Sequence, residues 1–202
     1  MRHLFLFICL VINISLAAET KILAFAGSMR ADSYNKKLVQ EAAKIARQMD
    51  ARVTVIDLKD YPMPFYDADL EREKGMPSYA KELRDLMISS DCIMISSPQY
   101  NASIPAVLKN ALDWLSRDEA GNESHEAFKG KKIAIMSASP GKKGGAKGLI
   151  HLRTIIEDCG GEILQQQVSL GSADKAFNEK GELINASVKK DLIQEVQALL
   201  KF

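Results

Sequence analysis

Hydrophobic and polar positions along this chain follow two alternating rhythms. Five short apolar or β-branched runs, at residues 22–26, 52–57, 92–96, 132–137 and 162–168, read as strands. Between them the apolar residues recur at helical spacing. Tyr34, Leu38, Ala42, Ile45, Ala46 and Met49 form one stripe. Residues 78–90 place Tyr79, Leu83, Leu86 and Met87 on one side. Residues 106–116 follow Pro105 at a first-turn position, and residues 148–158 are stopped by Gly160-Gly161. Val188, Leu192, Ile193, Val196, Leu199 and Leu200 mark a terminal amphipathic helix. Residues 61–77 are polar, aromatic and proline-bearing and predict a long surface loop; residues 117–130 loop outward. Strands alternating with helices predict an α/β domain with a parallel sheet, and right-handed crossovers make it a doubly wound three-layer sandwich. Ligands in such sheets bind beyond the carboxyl ends of the strands. The loops after the first, third and fourth strands should therefore meet at one rim.

The first twenty residues stand apart from this pattern. Arg2 and His3 precede an apolar stretch over residues 4–16, and small residues follow at Ala17 and Ala18, the order of a secretory signal. The stretch is short for a membrane span. The reading is a signal-like leader at 1–20 and one domain at 21–202. A mis-started reading frame and an uncleaved extension are the alternatives. Over the whole chain, 47% hydrophobic and 26% charged residues and a net charge of +1 point to an ordinary globular chain, with no global attraction to nucleic acid or an anionic membrane. Cys9 falls in the leader; Cys92 and Cys159 read as buried thiols, and no CxxC or Cys/His spacing implies a metal.

The loop after the first strand, Gly27-Ser28-Met29-Arg30-Ala31-Asp32-Ser33-Tyr34-Asn35, is rich in phosphate ligands. Gly27 permits a tight turn. Ser28 and Ser33 offer hydroxyls, Asn35 an amide and Arg30 a charged fork, while the next helix presents free N–H groups and the positive end of its dipole. A capped helix start explains Ser33 alone, but not Arg30 or Ser28. The segment is no P-loop: Ala146-Lys147-Gly148 stands where that motif needs Gly, Lys and a hydroxyl. No GxGxxG follows the first strand either. Past the third strand, Pro98, Gln99, Tyr100 and Asn101 offer an apolar, aromatic and amide-bearing surface suited to a flat heteroaromatic ring, or else a proline-rich turn. Past the fourth, Ser137, Ser139 and the small residues through Gly145 let backbone approach a ligand; Lys142 and Lys143 read as a solvated pair.

The segments GSMRADSYN, PQYNASIPAVLKNALDWLSR and SASPGKKGGAKGLIHLR, in this order and spacing, resemble the NADPH-dependent FMN reductase family, over roughly residues 21–170. The resemblance implies a flavodoxin-like three-layer α/β/α sandwich with a five-stranded parallel sheet in the order 2-1-3-4-5. It implies that Ser28, Arg30, Ser33 and Asn35 hold the FMN phosphate, and that Pro98, Gln99, Tyr100, Asn101, Ser137 and Ser139 contact the flavin. The family usually has Glu where this chain has Gln99, which removes a charge bearing on subunit contact or flavin tuning. Residues 106–117 resemble a helix that helps form homodimers or homotetramers.

The implied activity passes electrons from NADPH or NADH through bound FMN to a quinone, flavin, azo compound or metal oxyanion. The hydride chemistry belongs to the cofactor, so no catalytic side chain and no metal ligand is expected. His3, His125 and His151 form no hydrolase constellation and read as surface or packing residues; Asp113 and Trp114 read as exposed and packed. A non-enzymatic flavodoxin-type electron carrier and a cofactor-less binding domain are the competing classes, although a carrier is usually markedly acidic. Three glycosylation-type triplets begin at Asn101, Asn122 and Asn185, and a glycan on Asn101 would block the pocket. Localisation stays open: the leader favours export, the family cytoplasm, and NAD(P)H is scarce outside the cell membrane.

Overall fold

The computed structural model describes residues 19–201; the leader reading for 1–20 therefore lies, except at Glu19 and Thr20, outside the described residues. The elements are β1 (Lys21–Ala26), α1 (Tyr34–Arg47), β2 (Arg52–Asp57), α2 (Ala68–Lys74), α3 (Ser78–Ile88), β3 (Cys92–Ser96), α4 (Ala106–Leu115), β4 (Lys132–Ala138), α5 (Ala146–Asp158), β5 (Glu162–Ile163), β6 (Val168–Leu170) and α6 (Ala186–Leu200). The strands pair in parallel in the order β2-β1-β3-β4-β5, and β6 also pairs with β4.

The sheet is apolar on both faces because helices cover both. Ala24, Ala26, Cys92, Met94, Ala134 and Met136 face α1 and α6. Leu23, Phe25, Ile93, Ile95, Ile133 and Ile135 face α3, α4 and α5. Each of the larger side chains, fully withdrawn from water, contributes roughly 1.5–3 kcal/mol. Small residues on the α1 face and large ones on the other set how closely each helix layer approaches. Burial pushes the Cys92 thiol up to about 11, in keeping with a packing role for that residue.

Two elements differ from the sequence reading. The single last strand expected at 162–168 is two short strands. The chain leaves β4 after Leu164, whose carbonyl accepts from the Arg153 guanidinium at 2.7 Å, and returns at Val168. This second strand extends the sheet at its carboxyl rim, since Val168, Ser169 and Leu170 pair with Met136, Ser137 and Ala138. The long loop at 61–77 contains α2. Asp67 caps it by accepting from the Asp69 and Leu70 amides, and Gly75 ends it at φ 71°. Seven mostly polar residues show no apolar stripe, and the helix is held instead by buried Glu71, which pairs with Arg117 and accepts from the Tyr66 hydroxyl. The preceding loop is fixed to α4, where Asn110 Oδ1 accepts from the Tyr66 amide and Trp114 Nε1 donates to the Pro64 carbonyl.

Candidate functional site

Three loops converge at the carboxyl rim through backbone and one side chain. Ala26 lies level with Ser96, and Ser96 with Met136. The Gly27 amide donates to the Ser96 carbonyl at 2.9 Å, and the Ser97 amide to the Met136 carbonyl at 2.8 Å. The Ser139 amide donates to the Leu170 carbonyl at 3.0 Å, which brings β6 into the same edge.

Gly27 serves close approach more than turning. A methyl group at its Cα would lie 2.7 Å from Leu108 Cδ2 and 3.0 Å from Leu108 Cβ, so a bare Cα is what lets α4 pack under the loop. Beyond it, Ser28 and Ser33 are buried while residues 29–32 are exposed. Ser28 Oγ accepts only a long bond, 3.4 Å, from the Arg30 amide. Ser33 occupies the N-cap of α1, yet its hydroxyl makes no capping bond. The first N–H groups of α1 lack intrahelical acceptors by the geometry of any helix start, and no acidic residue sits in that first turn.

The neighbouring cations are unequal. Lys37 pairs with Asp32, and this hydrogen bond, with the charge behind it, holds the Asp32 carboxyl below its ordinary value. Lys36 pairs with Asp57; burial is the largest single influence and would raise that carboxyl, but the Lys36 bond, the Lys59 amide and the charges of both lysines together outweigh it and the value falls. Arg30 forms no ion pair among the described residues. An uncommitted hydroxyl, a helix start and an exposed guanidinium without an ion-pair contact, close together in sequence, make a donor set that fits a phosphate dianion.

Asn35 has a different place from the one expected. Its side chain is directed inward and its amide is used within the fold: Nδ2 donates to the Ala138 carbonyl at 2.9 Å, and Oδ1 accepts from the Ala138 amide at 2.9 Å and the Ser96 hydroxyl at 3.0 Å. It joins the first turn of α1 to the ends of β3 and β4. What Asn35 has left for an anion is its backbone N–H.

The second loop runs from buried Pro98 through half-buried Gln99 to exposed Tyr100 and Asn101. Gln99 Oε1 accepts from the Gly148 amide in the first turn of α5 at 3.1 Å. The acceptor at this position is thus turned toward a helix start, and the side-chain NH₂ is the part left for a ligand. Tyr100 and Ser103 exchange backbone hydrogen bonds, both 2.9 Å, around Asn101 and Ala102.

In the third loop Ser139 is half-buried at the rim, where its Oγ accepts from the Gly141 amide at 3.2 Å. Ser137 sits deeper than expected. It is fully buried, and its hydroxyl has no hydrogen-bond partner. Gly145, at φ 88°, lies directly over it: a Cβ there would come within 2.0 Å of Ser137 Oγ. The double glycine therefore lets α5 begin against the strand ends, and the Ser137 side chain is screened from the rim. Lys142 and Lys143 are exposed.

His151, read in sequence as a surface or packing residue, lies beside the second loop. His151 Nδ1 lies 3.0 Å from Ser103 Oγ, a contact that requires α5 to run beside the second loop. Asp113 pairs with Lys109 on the outer side of α4, and Trp114 is buried. Among the described residues no group of three or more His, Cys, Asp or Glu side chains has metal-site geometry, and no helix is long and apolar enough to cross a membrane.

Comparison with known proteins bears on the family and the fold. The family model for NADPH-dependent FMN reductase matches residues 20–175. An NAD(P)H-dependent FMN reductase of Pseudomonas aeruginosa is 31% identical over 182 residues, 90% of this chain and 94% of that protein. A quinone reductase of Escherichia coli is 29% identical over 192 residues, 93% and 97% of the two chains. Among solved structures, FerB, a flavoenzyme NAD(P)H:(acceptor) oxidoreductase from Paracoccus denitrificans, superposes with a TM-score of 0.75 at 28% identity, covering 89% of this chain and 94% of that one. The chain belongs to the NADPH-dependent FMN reductase family, flavodoxin-like oxidoreductases that work with FMN and an NAD(P)H donor.

Proposed function

We propose that this chain reduces quinone-type acceptors with electrons from NAD(P)H, through FMN held at the rim. The observation that carries the placement is the start of α1, where the Ser33 hydroxyl makes no capping bond, the first-turn N–H groups lack intrahelical acceptors, and Arg30 three residues before the cap is exposed with no ion-pair contact among the described residues. Ser28, Arg30, Ser33 and the backbone of Asn35 bind the phosphate in this reading. Pro98, Tyr100, Asn101, the Gln99 side-chain NH₂ and the Ser139 loop receive the ring system, with Ser137 acting from beneath as packing. When bound, FMN supplies the two-electron chemistry between donor and acceptor. The chain's own part is to neutralise the phosphate, present a surface for the ring and keep the three loops in register through Asn35.

The quinone reductases among its relatives support the choice of acceptor. Homodimerisation through the outer side of α4 and α5 belongs to the same reading. It is supported by Tyr100 and Ile150, large apolar groups that are 48% and 60% exposed beside the rim. The signal-like reading of residues 1–20, which would part an exported chain from cellular NAD(P)H, is tested by the mass of the mature amino terminus after cell fractionation: an intact Met1 on a protein confined to the cytosol would reject it. The activity itself is tested by rapid mixing of the FMN-loaded protein with NADPH and then with a benzoquinone. Loss and return of the flavin absorbance is the expected result. FMN that binds but stays oxidised in the presence of NADPH would favour an electron carrier over an enzyme.

A further inference from the structure

We propose that His151 is a positioning residue that holds the flavin-facing turn in its working shape, a role that rests on the FMN reading above. The turn is an unusual one to hold. Tyr100 and Ser103 bond to each other through both backbone pairs, leaving two residues at the tip. Both tip residues are left-handed, Asn101 at φ 50° and Ala102 at φ 68°. Asparagine tolerates that region, but alanine enters it against the clash of its Cβ with the following carbonyl. A strained tip keeps its geometry only when the surroundings over-determine it.

The surroundings that do so belong to α5. Gly145 precedes the first turn of α5, and Gly148 and His151, three residues apart, share a face of the helix. A Cβ on Gly148 would lie 3.3 Å from both Gln99 Cβ and the Ser103 carbonyl oxygen, so α5 already approaches the loop about as closely as bare backbone allows. The Gly148 amide holds the loop at Gln99. His151 holds it at the far side of the tip through Ser103 Oγ, 3.0 Å away. Between these two points stand Tyr100 and Asn101. A serine hydroxyl both donates and accepts, so the link persists whichever ring nitrogen carries the proton.

The hydrogen bond of His151 goes to the second loop and not to the proposed phosphate loop or the strand ends. Its removal releases the turn and shifts Tyr100 and Asn101 relative to the ring, while the phosphate end of the site, built on α1 across the sheet, stays in place. Because His151 is exposed, its loss has little effect on stability.

The test compares FMN-loaded wild type with His151→Ala, Ser103→Ala, the double variant and His151→Asn. In each, visible circular dichroism of the bound flavin, FMN affinity, thermal stability and kcat/KM with NADPH and a benzoquinone are measured. The proposal expects an altered flavin dichroism and a kcat/KM about fivefold lower in either single variant, the scale of one lost neutral hydrogen bond. It expects little change in Tm or FMN affinity, and a double variant no worse than either single. His151→Asn, whose side-chain amide reaches roughly the place of Nδ1, should restore both readouts. Wild-type dichroism and kinetics in His151→Ala, additive losses in the double variant, or failure of His151→Asn to restore would each overturn it. Wild-type protein that takes up no FMN would reject the proposed function itself and this role with it, an outcome visible before any variant is made.

Discussion

Replacing Asn35 with alanine separates a residue that holds the site together from one that holds the ligand. The side chain makes three hydrogen bonds, and Asn35, Ser96 and Ala138 are all at least 96% withdrawn from solvent. Truncation leaves the Ala138 amide and carbonyl buried without partners, at about 1–3 kcal/mol each; the Ser96 hydroxyl can rotate and loses less. The sum, about 3–5 kcal/mol, is a large part of the 5–15 kcal/mol that stabilises an ordinary domain. At about 2–4 °C per kcal/mol for a chain of this size, the apo protein should melt roughly 6–20 °C lower.

Asn35→Asp sharpens the test. The carboxylate can still accept from the Ala138 amide, but it sets a second oxygen against the Ala138 carbonyl in a buried place. Only the protonated acid can donate there, so the folded-state pKa of this aspartate must rise above its unfolded value of about 3.9. Stability in this variant is therefore fullest below that unfolded value and is lost as pH rises toward the folded one. The assay is thermal unfolding followed by far-ultraviolet dichroism without FMN, from pH 4 to 8, paired with an FMN titration. If Asn35→Ala melts like wild type yet loses FMN affinity, the amide is a ligand and the inward bonding described above is wrong.

Arg30→Ala should weaken FMN binding about tenfold through loss of a charge-assisted contact, with the gap narrowing in high salt and Tm unchanged. Equal affinities by fluorescence titration would remove Arg30 from the site. Gly145→Ala, which combines φ 88° with a Cβ 2.0 Å from Ser137 Oγ, should destabilise by at least about 2 kcal/mol in urea unfolding; the additional change Ser137→Gly should recover part of that loss. Ser137→Ala alone removes a buried hydroxyl that has no partner, and should leave stability equal or slightly higher with FMN affinity unchanged. A sharp fall in affinity would return Ser137 to the ligand set.

A further prediction concerns Glu195, fully buried on α6 with neither carboxyl oxygen hydrogen-bonded. Burial raises its pKa well above the usual carboxylate range. The native state therefore keeps a proton that the unfolded chain releases near pH 4.3, and stability falls as pH rises above that point. Glu195→Gln should raise Tm at pH 8 and flatten the pH profile of Tm between 5 and 8. A profile identical to that of wild type would show that the carboxyl reaches water.

The layout of the site was legible because its signals are local. The apolar runs at 22–26, 92–96 and 132–137 are bounded by Gly, Pro and Ser, so strand, loop and helix start follow one another within a few residues. Strand order was not written in any one segment; it came with the family resemblance, and the observed order agrees. The inward turn of Asn35 was hidden because an amide after a serine cap looks the same whether it faces a ligand or a strand end 103 positions away in sequence. The depth of Ser137 was hidden for a similar reason, since only Gly145 packed above it decides that its hydroxyl is screened. His151 lay within a family-like segment but read only as a surface or packing residue; its relation to Ser103 exists only once α5 lies against the second loop. Helix α2 was missed because its stability comes from Asp67 at the cap and from Glu71 pairing with Arg117, 46 residues away, and not from an apolar stripe.

The most direct test of the central claim is the visible absorption of the purified protein, supplied with FMN under anaerobic conditions, before and after one equivalent of NADPH. A bound-flavin spectrum that bleaches with NADPH and returns when a benzoquinone is added is the predicted result. A protein that binds no FMN, or a bound flavin that NADPH leaves oxidised, would contradict it.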